Sequence, residues 1–76
     1  MVRSTLKLLV DERGVSLREL ARSIDYRFES VRQLYNDEME RYPRDLLSRL
    51  CAYFGCSVDR ILTIEEWQND AEIADV

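Results

Sequence analysis

The sequence has no histidine, a single lysine, one proline, two glycines and two cysteines. Without histidine it lacks the side chain most used for proton transfer near neutral pH, and the commonest metal ligand. Cys51 and Cys56 are five apart with no histidine to complete a set, which makes a poor metal site. They read as reduced, mostly buried thiols. Two glycines far apart in the chain cannot make a glycine-rich phosphate loop, and no serine stands at motif spacing from a base. A short helical domain also has little room for a ligand pocket of the usual volume, about 300 Å³ or more. We expect neither an enzyme nor a cofactor. No apolar run approaches the roughly 20 residues that span a bilayer, so no membrane association is expected. The N-terminal stretch has Asp11 and Glu12 directly after its apolar part and no small-residue cleavage site, unlike a signal peptide. A cytoplasmic location is the expectation.

What is present is one small, charged domain of 76 residues. Chains this short bury only about 60% of their unfolded surface, which makes oligomerisation an expected supplement. The net charge of -4 argues at first against a nucleic-acid partner. Its distribution says otherwise: residues 1–49 hold ten basic and nine acidic side chains, residues 50–76 one basic and six acidic. Ten of the eleven basic residues are arginine, the better bidentate partner for phosphate and guanine.

The chain is organised around residues 16–35. Ser16 and Glu19 form a capping-box pattern, and Val15 and Leu20 are placed as a hydrophobic staple. This predicts a short helix over about 17–24. Ser23 to Tyr26 interrupts it, and Val31, Leu34 and Tyr35 resume one helical face over about 28–36. Two such short helices need support from others. Leu6, Leu9 and Val10 stripe a preceding helix that begins after Ser4 or Thr5 and stops at Gly14. Pro43 suits the first turn of a helix carrying Leu46, Leu47, Leu50 and Phe54 and ending at Gly55. Ser57 is placed to cap a fifth helix with Val58, Ile61 and Leu62 on its face. Thr63, Ile64 and Trp67 would add a short strand or helical turn. The expected fold is therefore all-α and five-helical, with Leu20, Val31, Leu34, Leu50 and Phe54 in one core. Residues 1–64 would form the domain and 65–76 an acidic extension.

The segments GVSLRELA, SIDYRFESVRQLYND and LLSRLCAYFGCSVDRIL, in that order, resemble the lambda-repressor/Cro (XRE-like) helix-turn-helix family over about residues 4–63. The resemblance implies a sequence-specific DNA-binding transcriptional regulator that sets its third helix in the major groove, usually as a dimer on a palindromic operator. Carried over position by position, Arg32 and Gln33 become candidates for base edges, with Phe28 and Glu29 beside them. Guanidinium and amide groups match guanine and adenine in bidentate fashion. Arg18, Arg27, Asn36, Arg41 and Arg44 become candidates for the phosphate backbone, positioning without specifying. Ile61, Ile64 and Trp67 are the expected dimer residues, because they leave more apolar surface than a short core needs.

The chain departs from the family pattern where it has Leu17 in place of a frequent glutamine, Phe28 in place of a polar residue, and Asp25 where glycine is usual. Glu29 is the fourth departure. A carboxylate facing the groove is repelled by phosphate, unless it accepts from cytosine N4 or pairs with Arg32 three residues on. The rival reading is a helix-turn-helix fold used as a protein-interaction module, an antirepressor or similar regulator, with its partner held by Leu17 and Phe28.

Overall fold

In the computed structural model, which describes residues 1–64, every helix is short and each ends in the same way. Strand β1 (Val2–Ser4) is followed by helices α1 (Leu6–Arg13), α2 (Leu17–Ser23), α3 (Phe28–Tyr35) and α4 (Arg44–Phe54), a single 3₁₀ turn (Val58–Arg60) and strand β2 (Leu62–Ile64). Ser16 caps α2 as its pattern predicts, its Oγ accepting from the Glu19 N–H at 3.1 Å.

The four helices stop at four left-handed residues: Gly14 (φ 78°), Asp25 (φ 57°), Asp37 (φ 60°) and Gly55 (φ 65°). After α2, the Tyr26 N–H donates to the Ala21 carbonyl (2.9 Å) and the Asp25 N–H to Arg22 (3.2 Å). After α3, Glu38 donates to Gln33 (2.8 Å) and Asp37 to Leu34 (3.1 Å). Both are Schellman closures built on aspartate instead of glycine, a residue that enters this region at modest cost.

The core is entirely apolar. Leu6, Leu20, Val31, Leu34, Leu46, Leu50 and Ile61 are fully buried, with Leu9, Val10, Ala21 and Ile24 close behind. Phe54 is half-buried at its margin, where it meets Tyr53 edge-on and the Arg13 guanidinium lies over both rings.

The expectation of an all-α, five-helix domain is corrected. Among the described residues there are four α-helices, and β1 and β2 form a two-stranded antiparallel sheet in which Val2 faces Ile64, Arg3 faces Thr63 and Ser4 faces Leu62. The expected fifth helix lasts one 3₁₀ turn because the chain after Ile61 is taken up in pairing with β1. Ser57 does not cap that turn with its side chain; its hydroxyl instead donates to the Asp59 carboxylate. The two ends of the domain are further joined by the Thr5 N–H to the Ile61 carbonyl (2.7 Å) and the Thr5 hydroxyl to the Arg60 carbonyl (2.8 Å). Residues 65–76, including Trp67, lie outside the described residues. Among the described residues no helix is long and apolar enough to cross a membrane.

Asp37 links this sheet to the end of α3. Its carboxylate accepts from the Ser4 N–H at 2.8 Å and from Arg3 Nε at 3.1 Å. The Ser4 N–H first, and Arg3 after it, hold the Asp37 carboxyl below the ordinary 3.8. A carboxyl whose value is lowered by folding contributes stability that is complete above the unfolded value and lost as pH falls through the folded one. Asp37→Asn should keep the left-handed turn, since asparagine tolerates it, while removing the charge. We expect D37N to melt below the parent at pH 7, and the gap to close as pH falls below 3.8. Thermal unfolding followed by circular dichroism across that range measures it; a gap independent of pH would show that the charge is not responsible.

Candidate nucleic-acid interface

Helix α3 buries only Val31 and Leu34 fully, so its other faces are turned away from the core or lie at its edge. Its position relative to α2 is set by the buried residues Leu20, Ala21 and Ile24 on one side and Val31 and Leu34 on the other. The turn between them is clamped from outside by Arg49 of α4. Arg49 Nη1 donates to the Ile24 carbonyl (2.8 Å) and the Asp25 carbonyl (3.1 Å), while its Nε donates to Asp45 (3.0 Å). The same guanidinium lies 5.9 Å from the Tyr26 ring centroid. The Asp45–Arg49 spacing was visible in the sequence, but the reach to carbonyls 25 and 24 residues back was not.

On α3 itself Arg32 is half-exposed and held by acids. Its Nε donates to Glu29 Oε1 at 3.3 Å and its Nη2 to Glu29 Oε2 at 2.5 Å, and its Nη1 lies 3.8 Å from Glu38 Oε1. The Arg32 hydrogen bonds hold the Glu29 carboxyl below its ordinary value, with a smaller contribution from the Gln33 amide. The Glu29–Arg32 pairing is one of the two circumstances the sequence offered for an acid at this position; the part played by Glu38 was not foreseen. Gln33 is half-buried on the next position.

Phe28 and Leu17 are both half-buried and packed against the core, and the Arg18 guanidinium covers the Phe28 ring at 4.6 Å from its centroid. Two of the apolar departures thus form part of the α2–α3 packing, with a cation as lid. Arg27 is exposed at the N-cap position of α3, which has no side-chain cap, and Asn36 is exposed just past its end. Arg41 is exposed in the α3–α4 loop, and Arg44 is the exposed first residue of α4, whose N-cap Pro43 offers no side-chain acceptor.

The expected dimer residues separate. Ile61 is fully buried inside its own domain, where its carbonyl also accepts from Thr5, so it is not a surface residue. Ile64, 65% exposed on β2, is a surface residue. It borders one groove with Val2, Val58 and Leu62, and a second with Leu8 and Thr63.

Among the described residues no group of three or more His, Cys, Asp or Glu is placed to hold a metal ion. Cys51 and Cys56 are free and half-buried, and burial pushes the Cys51 thiol up, away from the reactive thiolate.

The chain matches the family of the Cro/C1-type HTH DNA-binding domain over residues 5–66. No curated protein and no solved structure matches the chain.

The clamp gives a direct test of what holds the turn. Arg49→Met keeps a long apolar side chain but removes every donor, leaving the partly buried Ile24 carbonyl and the exposed Asp25 carbonyl without this partner. We expect a loss of about 1–2 kcal/mol in urea unfolding, with Arg49→Lys in between. Equal midpoints for parent and R49M would remove Arg49 from the account.

Proposed function

Since this chain belongs to the Cro/C1-type helix-turn-helix DNA-binding family, and is thereby a DNA-binding regulator, we propose how it engages the duplex: α3 enters the major groove, Arg32 and Gln33 meet base edges, and Arg18, Arg27, Asn36, Arg41 and Arg44 meet phosphates. The observation that carries this is the outward face of α3 on a turn immobilised by Arg49. A short helix held at its ends, with guanidinium and amide groups on its face, suits groove reading. The uncapped N-termini of α3 and α4 add N–H groups suited to phosphate oxygens. Phe28 and Glu29 complete the base-facing set in this reading. The protein would act in the cytoplasm, where both thiols stay reduced.

The protein-partner alternative loses its main support, because Leu17 and Phe28 are engaged with the core and with Arg18 and do not form an open apolar patch.

The net negative chain neutralises few phosphates, and its tail acids Glu65, Glu66, Asp70, Glu72 and Asp75 repel the backbone. Binding would then lean on correct sequence and on two copies acting together. Arg32→Ala should lower affinity for a duplex selected from a random pool by about tenfold to a hundredfold, with little effect on random DNA. Arg44→Ala should weaken both alike and flatten the salt dependence. Filter binding against salt measures both; parent-like behaviour of both variants would remove α3 from the groove.

Dimerisation is proposed through the exposed apolar residues at the sheet, Val2, Leu8 and Ile64, with Trp67 adjoining in sequence. A two-fold pair formed there would set two α3 helices about 34 Å apart, one turn of DNA. Sedimentation at high micromolar concentration should give twice the 9.0 kDa chain mass, and Ile64→Glu should return the monomer. A 9.0 kDa species at that concentration would rule the dimer out.

A further inference from the structure

Glu29 is the one acidic residue within α3, and it stands in the first turn. An acid there should weaken attraction to a polyanion, so its arrangement calls for a physical account. Glu29 is bound through both oxygens to one edge of the Arg32 guanidinium, the Nε–Nη2 edge. The edge that Nη1 makes with Nη2 is left for another partner, and Glu38 stands 3.8 Å from Nη1. Arg32, Glu29 and Glu38 together carry a net charge of -1, so this arginine offers a phosphate little attraction while the three stay together.

Bases present a different target. In the major groove a guanine offers O6 and N7 as acceptors, and its paired cytosine offers an N4 amino donor. An Arg–Glu pair presents the complement of that pattern, donors from the guanidinium and an acceptor from the carboxylate. A thymine O4 opposite the carboxylate is acceptor against acceptor, and so is a phosphate oxygen. The ion pair is exposed on the helix surface, so its bonds can be exchanged for base contacts without disturbing the core.

We propose that Glu29 is a specificity-determining residue: paired with Arg32, it withholds that arginine from the DNA backbone and lets it act at a G·C pair, where guanine takes Arg32 and the cytosine N4 donates to Glu29. This rests on the reading of α3 as the recognition helix. Glu29 is thereby a direct reader and a positioning residue for Arg32, and Glu38 supplies the second negative charge that keeps Arg32 quiet toward phosphate.

The test uses the full chain as parent, Glu29→Ala, Glu29→Gln and Arg32→Ala, each checked for the parent's circular dichroism. Duplexes are selected from a randomised pool, and affinity for selected and random duplexes is then measured across salt. The parent should select a G·C pair that R32A no longer requires. E29A should bind random duplex about tenfold more tightly than the parent and tolerate A·T at that pair. Its salt dependence should steepen by about the slope of one added phosphate contact, roughly 0.9. E29Q keeps an oxygen acceptor without the charge, so it should gain on random duplex as E29A does while keeping more of the G·C preference.

If E29A and E29Q keep the parent's selectivity and random-duplex affinity while R32A loses its pair, the role given to Glu29 is overturned and the recognition helix stands. Loss of all binding in E29A also overturns it, because a carboxylate that restrains binding cannot be essential for it. If R32A too behaves as the parent, or the parent binds no duplex, the reading of α3 falls and this inference with it.

Discussion

Helices of seven and eight residues do not hold their shape alone in water, because a costly nucleus is shared over too few hydrogen bonds. Everything in this domain follows from the need to bury one face of α2 and one of α3 together. Leu20, Ala21 and Ile24 meet Val31 and Leu34, and Leu6, Leu46, Leu50 and Ile61 close over them. The apolar area is small, so geometry that would otherwise drift is fixed by polar devices at the rim. Aspartate in the left-handed region ends α2 and α3, Arg49 ties the turn to α4, and Asp37 ties the end of α3 to β1. Each of these acts on the ends or flanks of α3, leaving its outward face clear of the core.

Charge is deployed on the same principle. Lys7 pairs with Asp11, and Tyr35 donates to the same carboxylate, joining α1 to the last turn of α3. Arg3 is bound to Asp37 and Arg49 to Asp45, while Arg13 and Arg18 lie over aromatic rings. Arg22, Arg27, Arg41, Arg44 and Arg60 make neither an ion pair nor a ring contact among the described residues. Of these, Arg27, Arg41 and Arg44 have a proposed phosphate role, and Arg18 shares it. Arg32 stands between the two groups: it is paired, but through an exposed contact that a base can replace. A chain of net charge -4 can therefore belong to a DNA-binding family, since several of its arginines have no acidic partner among the described residues.

Local pattern and tertiary contact divided the determination of this protein. The caps, the breaks and the apolar stripes are carried by neighbours within a few residues, so Ser16, Gly14, Gly55, Leu20, Val31, Leu34 and Leu50 could be placed from sequence. Order and spacing of those pieces also carried the family, since a succession of helical faces is itself a local property repeated along the chain. Three features depended on residues far apart. Val2–Ser4 is a strand only because Leu62–Ile64 lies beside it, and that pairing in turn cut the expected fifth helix to one turn and drew Ile61 inward. Arg49 became the clamp of the turn because folding brought it to two carbonyls with no closer donor. Glu38 came to face Arg32 because Asp37 turns the chain back at the end of α3. A three-residue strand, a side chain reaching across elements and a reversal at a non-glycine residue leave no periodic trace, and their energies exist only once the apolar core has fixed the distances.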